Sequence, residues 1–245
     1  MRKLARERFL AGRKAETQYG IRLRQVAKHI GDMVRGIAPQ GELFDLSDAS
    51  RIVDMLRRYA EILEPWARVV AARMVADVSA KDAAAWNRHG REIGRALKRE
   101  IQGAPTGAVM RKALEEQVHY ITSIPRDAAE RVHKLTTEAI VSGRRAEDIA
   151  KEIMASGEVS RSKANLIART EVSRTATALT QARAEYVGSE GYQWATADDG
   201  DVRPSHKAMR GKFVRWDSPP TLDKMVGHAG QLPNCRCYCV VSLPD

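Results

Sequence analysis

The chain has 245 residues, of which 43 % are hydrophobic but only 5 % aromatic, and it carries a formal charge of +10. That length supports one large domain or two modest ones with ample core, and no apolar run approaches the roughly 20 residues of a membrane-spanning helix. The basic start, Met1-Arg2-Lys3, is followed by neither an apolar stretch nor a small-residue cleavage site, so no secretory signal is expected and the chain reads as soluble.

Alanine, arginine and leucine dominate the first two thirds, a mixture that favours helix. From Leu4 to about Ile37 the apolar residues Leu23, Val26, Ile30, Met33 and Ile37 recur at steps of three and four, and Gly36 and Pro39 supply a stop. A turn from Gly41 to Ser50 follows, then a helix carrying Ile52, Met55, Leu56, Tyr59, Ile62 and Leu63, which Pro65 kinks or breaks. Ser79-x-x-Asp82 has the form of a capping box and predicts the start of a third helix reaching Ile101. Gly103-Ala-Pro-Thr-Gly107 reads as a breaker and region boundary. Two short helices are expected next, over about 108–121 and 126–142, the second capped by Ser123 with Pro125 in its first turn and stopped by Gly143. A further helix over Ala146–Met154 precedes a loop at Gly157, and the longest helix runs from about Arg161 to Val187 and ends at Gly188. Beyond it the texture changes. Tyr192–Thr196, Lys212–Trp216 and Cys235–Leu243 read as strands around a loop from Asp217 to Asn234, so the expected class is α+β, with a small sheet packed on the preceding helix. The chain thus divides into a basic helical region (1–103), a second helical part (104–187) and a β-rich tail (188–245).

The charge is uneven: residues 1–100 hold 21 Lys/Arg against 13 Asp/Glu, and the remainder holds 20 against 18. A basic half can contact nucleic acid through counterion release without reading sequence, or it can be simply a solvated helical surface. The three cysteines, Cys235, Cys237 and Cys239, fall within five residues, and an odd, clustered count argues against a disulfide framework.

The tail carries an ordered set of motifs. Ile167-Ala-Arg169-Thr170-Glu171 lies mid-helix; Trp194-Ala-Thr-Ala-Asp198-Asp199 follows a glycine turn; then come Val202-Arg203-Pro-Ser-His206, Met209-Arg-Gly211-Lys212 and Pro233-Asn-Cys235-Arg-Cys237. In this order and spacing they resemble the Mu F-like phage head-morphogenesis (minor head protein) family, over about residues 108–241 and most sharply over 166–239. One position departs: where members often have a histidine just before Pro-Asn-Cys-Arg-Cys, this chain has Leu232, and the nearest histidine is His228. The resemblance implies a non-enzymatic minor capsid protein of the virion. Such a protein sits inside the phage head near the portal vertex, in the bacterial cytoplasm during assembly. Its implied partners are the portal protein and other head proteins, with nonspecific double-stranded DNA as a further candidate and no membrane.

Two chemistries compete for the tail residues. His206, His228, Cys235 and Cys237 are candidate zinc ligands, four being a closed structural complement, although a one-residue spacing between cysteines is tighter than the usual two to four. The alternative is that alternation buries the thiols on the inner strand face as small hydrophobes. Asp198, Asp199, Arg203 and His206 invite a general-base reading, and with it a metal-dependent hydrolase or nuclease of toxin-like kind. The structural alternative ties Arg203 and His206 to the long helix and makes Glu171 buried and paired with Arg169, Arg174 or Arg203. Trp194 and Trp216 are expected in the core of the tail.

Overall fold

The computed structural model describes residues 2–37, 45–93, 104–144 and 146–243. The class is α+β. Helices α1 (Arg2–Ile37), α2 (Leu46–Ile62), α3 (Glu64–Ile93), α4 (Thr106–Ser142), α5 (Ala146–Met154) and α6 (Ser156–Tyr186) precede a tail of β1 (Gly191–Thr196), the single turn α7 (Pro204–Lys207), β2 (Phe213–Arg215), β3 (Thr221–Leu222), β4 (Met225–Val226) and β5 (Cys237–Ser242). None of the described helices is long and apolar enough to cross a membrane.

The chain forms two compact units. One gathers Met1–Gln18, Ala72–Glu115 and Arg169–Asp245; the other gathers Tyr19–Ala71 and Glu116–Ala168. The three regions expected from the sequence run consecutively, whereas these units interleave, and the boundaries between them fall inside α1, α3, α4 and α6.

The second unit is all helix. On α1 the buried stripe is Tyr19, Leu23, Val26, Ile30 and Val34, the spacing of one helical face. Met33 and Ile37, expected on that stripe, are only half-buried, and Pro39 lies outside the described residues. Asp45 caps α2 in a capping box with Asp48, each side chain taking the other's backbone N–H, so helix begins inside the stretch expected to be a turn. Pro65 falls in the first turn of α3, where its missing N–H costs nothing.

Two expected breaks are absent. Helix α4 runs unbroken through Pro125, because Ile121, Ile124, Ala128 and Val132 continue one buried face across it. That burial offsets the lost ladder bond. Gly157 is not in a loop but in the first turn of α6. A Cβ there would stand 2.8 Å from Gly31 Cα, so this glycine allows α1 and α6 to pack backbone to backbone.

In the first unit, Ser79-x-x-Asp82 does not start a helix. Both residues lie within α3 and both are buried. The Asp82 carboxylate accepts from Thr180 Oγ1 (2.8 Å), pairs with Arg183 and faces Arg8 at 3.7 Å. The Ile101 end of the expected helix lies outside the described residues. Helix α6 closes in a Schellman turn. Gly188 (φ +81°) donates to Glu185 O and Ser189 donates to Ala184 O.

The sheet order is β2-β1-β5, all antiparallel, with Trp194 opposite Cys239 and Thr196 opposite Cys237. Gly191 is required there, since a Cβ would lie 2.3 Å from Val214 O. The stretch expected to be pure loop contains the two-residue strands β3 and β4, joined by Asp223 and Lys224, both at positive φ. That geometry is the inward-twisting hairpin turn. Tyr192, Trp194, Trp216 and Val241 form the core beneath the sheet, together with Trp86 of α3 and Ala184 of α6. Phe9 of α1 stacks on Tyr238 with ring centroids 5.1 Å apart.

Candidate metal centre

One face of α6 holds the cysteine loop in place. Thr170, Arg174 and Thr177 follow one another at steps of four and three, so their side chains line up along the helix. Asn234 N–H donates to Thr170 Oγ1 (3.1 Å), Arg174 Nε to Gln231 O (2.5 Å) and Thr177 Oγ1 to Ala229 O (2.8 Å). Arg203 Nη2 adds a bond to Pro233 O (3.1 Å). Gly230 lies so close to the helix that a Cβ would meet Thr177 Oγ1 at 2.6 Å, and its φ of +90° is one that only glycine adopts readily. The loop therefore enters β5 in a fixed register and delivers Cys235 and Cys237 to one side.

His206 meets them from the other side of the loop. It sits on the single turn α7, whose Pro204 presets the backbone at its start. The imidazole is 1 % exposed, Cys235 4 % and Cys237 1 %. Nδ1 lies 3.4 Å from Cys235 Sγ and 3.4 Å from Cys237 Sγ, and the three ligand atoms fall within 4.8 Å of one another. Gly230 N–H donates to Cys235 Sγ at 3.3 Å. The ring packs edge-on against Trp194. Its other nitrogen, Nε2, is buried without a hydrogen-bond partner and faces Asp223 Oδ2 at 3.7 Å. The Cys237 thiol, His206 and the Gly230 N–H all favour the thiolate of Cys235 and hold it well below the usual thiol range, while the same neighbour and burial push Cys237 up. Cys239 turns away to Ala229 O, and burial raises its pKa.

His228, the fourth expected ligand, lies elsewhere. Its Nε2 is 3.1 Å from Trp216 O and its Nδ1 is 3.3 Å from Tyr192 Oη, which in turn accepts from Ala229 N–H. The consistent assignment is a neutral ring donating through Nε2 and accepting at Nδ1, with burial lowering its pKa. Both nitrogens are used. The carboxylates read as catalytic are also engaged: Asp198 accepts from Thr196 Oγ1 (2.7 Å) and pairs with Arg210 (3.0 Å), and Asp199 pairs with Arg236. Neither reaches His206. The acid facing it is Asp223, which no motif singled out and which also lies 3.5 Å from Arg203.

The remaining motif residues are framework. Glu171 is buried and pairs with Arg174 at 2.9 Å, and Arg169 pairs with Glu16 at 3.4 Å. Gly211 (φ +79°) turns the chain so that its N–H reaches Trp194 O at 2.8 Å. A cavity of about 80 Å³ opens beside β5 and is lined in part by Cys235 and Cys237, but His206 is not in its wall.

Comparison with known proteins follows the same stretch. Residues 130–240 match the family described as Phage Mu protein F like protein. A protein of Haemophilus influenzae, described there only as uncharacterized, is 30 % identical over 251 aligned residues, covering 95 % of this chain. The chain spans 54 % of that relative's length. No solved structure matches.

Proposed function

We propose that this chain is a structural component of a tailed-phage head that takes part in head assembly at the portal vertex, a reading supported by the match of residues 130–240 to the Phage Mu protein F like family. The observation that carries this reading is how the motif residues are used. Thr170, Glu171, Asp198, Asp199 and Arg203 all make ties within the fold, holding the cysteine loop, β1 and α6 together, and His206, the base of the catalytic reading, is itself 1 % exposed and outside the wall of the neighbouring cavity, where a substrate would have to meet it. The family motif is thus a fold-defining scaffold, and assembly contacts come from outside it. We assign them to the basic helices, where Arg22 and Lys28 of α1 and Arg57 and Arg58 of α2 are exposed. The portal protein and packaged duplex DNA are the partners of that surface, and the interior of the head is its location.

The test is co-expression of the full chain with the portal protein of the same phage, followed by co-purification. The fourfold charge reversal of Arg22, Lys28, Arg57 and Arg58 to Glu is run in parallel, and duplex binding is titrated against salt. The proposal expects a portal complex that the reversal abolishes, and DNA affinity that falls steeply with salt. A chain that copurifies with portal equally well after the reversal would refute the assignment of the basic helices. A chain that never associates with portal or head proteins would refute the function.

A further inference from the structure

We propose that His206 Nδ1, Cys235 Sγ and Cys237 Sγ bind one zinc ion, with a water in the fourth position and Asp223 orienting the imidazole from behind. Four observations carry it, and none depends on the head-protein reading. The first is distance. A tetrahedral zinc with Zn–N near 2.05 Å and Zn–S near 2.3 Å requires its nitrogen and sulfur ligands to stand about 3.6 Å apart. Both Nδ1–Sγ distances are 3.4 Å.

The second is valence. An imidazole nitrogen has one in-plane site, either a lone pair or a proton, so it forms one good hydrogen bond. Two sulfurs equidistant from the same nitrogen are not two hydrogen bonds. They are what three ligands gathered around a common centre look like. The third is the set of surrounding groups. The Gly230 N–H points at Cys235 Sγ, and such donors stabilise a thiolate. Nε2 has no partner at hydrogen-bond length, yet the Asp223 carboxylate waits 3.7 Å away. Metal-bound histidines routinely donate their second ring N–H to a carboxylate, which fixes the tautomer and raises the ligand's basicity. Binding at Nδ1 commits the proton to Nε2, and a small movement of Asp223, which sits in an exposed hairpin turn, completes that bond.

The fourth is the spacing itself. One intervening residue is short for a zinc pair in a turn, but at the entry to β5 residues i and i+2 share a face, and Arg236 between them is drawn to the opposite side by Asp199 and Asp201. The two thiols can then converge while the charged residue leaves. Three ligands make an incomplete structural set, and His228 cannot complete it because both its nitrogens are bonded. Zinc takes thiolates rather than thiols, so uptake releases protons and weakens as pH falls.

The experiment uses the full chain, purified under reducing conditions without added metal, with metal counted by mass spectrometry per chain. The apo chain is then reloaded with cobalt(II), whose thiolate charge-transfer and ligand-field absorption report sulfur ligation and tetrahedral geometry. The expected result is about one zinc per chain. Cobalt should give a thiolate charge-transfer band that disappears in Cys235→Ser and in His206→Ala but persists in Cys239→Ser, whose thiol points elsewhere. Asp223→Asn should keep the band and lower zinc affinity about 10–100-fold. Circular dichroism confirms that each variant is folded, and wild type alone suffices if the ligand variants are not. A folded, reduced wild-type chain that neither carries zinc nor takes up cobalt overturns the site. So does a charge-transfer band that survives Cys235→Ser. Unchanged affinity in Asp223→Asn overturns the role of Asp223.

Discussion

Replacing Asp82 with alanine should be among the costliest single changes in the chain. Asp82 and Arg183 are 4 % and 6 % exposed at their side chains, so neither charge can be solvated if the other is removed. The carboxylate also takes the Thr180 hydroxyl and faces the Arg8 guanidinium, which itself lies over the Trp86 ring and donates to Cys239 O. Removing one partner of a buried pair costs about 3–5 kcal/mol, chiefly because the remaining charge is stranded. Replacing both with apolar groups of similar volume is close to neutral. Thr180→Val should cost about 1.5–3 kcal/mol, the net worth of a hydrogen bond to a charged acceptor. Urea unfolding of Asp82→Ala, Arg183→Met and the double variant, with midpoints and slopes compared, gives the coupling directly. The reasoning predicts a double variant more stable than Asp82→Ala alone. If Asp82→Ala costs under about 1 kcal/mol, or the two changes simply add, the pair is not the buried electrostatic unit described here.

Acid should weaken the fold through His228. Its folded pKa is depressed by burial, so below about 6.5 the unfolded chain takes up a proton that the folded chain refuses. Stability is therefore full above that value and falls as pH drops through it, and NMR titration should show the His228 ring still neutral at pH values just below about 6.5. Gly230→Ala should cost several kcal/mol, since it combines strain at φ +90° with overlap on Thr177 Oγ1; a thermal midpoint equal to wild type would contradict the close approach. Cys239→Ser should cost about 1–3 kcal/mol through a buried hydroxyl, and native alkylation of Cys239 should be slow. Rapid native labelling would contradict its burial.

Much of the tail was legible in the sequence because its signals are local. Alternation marks β1 and β5, Gly188 ends α6 at a turn that only its own backbone bonds decide, and the ordered motifs fall mostly within the stretch, 130–240, that matches the Phage Mu protein F like model. The failures share one cause. Ser79-x-x-Asp82 has the local form of a helix start, but Arg183, 101 residues away, claims the carboxylate. Pro125 and Gly157 are breakers by propensity, and they sit in helices because a buried face and a glycine-to-glycine crossing outweigh it. The zinc candidates show the same divide. The motifs supply His206, Cys235 and Cys237, but only the hydrogen-bond partners of His228 remove it, and only the β3–β4 hairpin brings in Asp223.

The interleaving of the first unit sets a clock on its own synthesis. Arg8 finds its bond to Cys239 O 231 residues further along the chain, and Phe9 waits for Tyr238 on the same strand. At about 5–20 residues per second, the opening turns of α1 leave the ribosome roughly ten to fifty seconds before their partners exist. During that interval Phe9 has no Tyr238 to stack on, while the second unit draws its residues from no further along the chain than Ala168. The helical unit can mature on the ribosome, whereas the cysteine-bearing unit closes only once β5 has emerged. A nascent chain stalled before Cys235 should thus present a finished helical half and a sticky, unclosed one, which is the form a chaperone would meet.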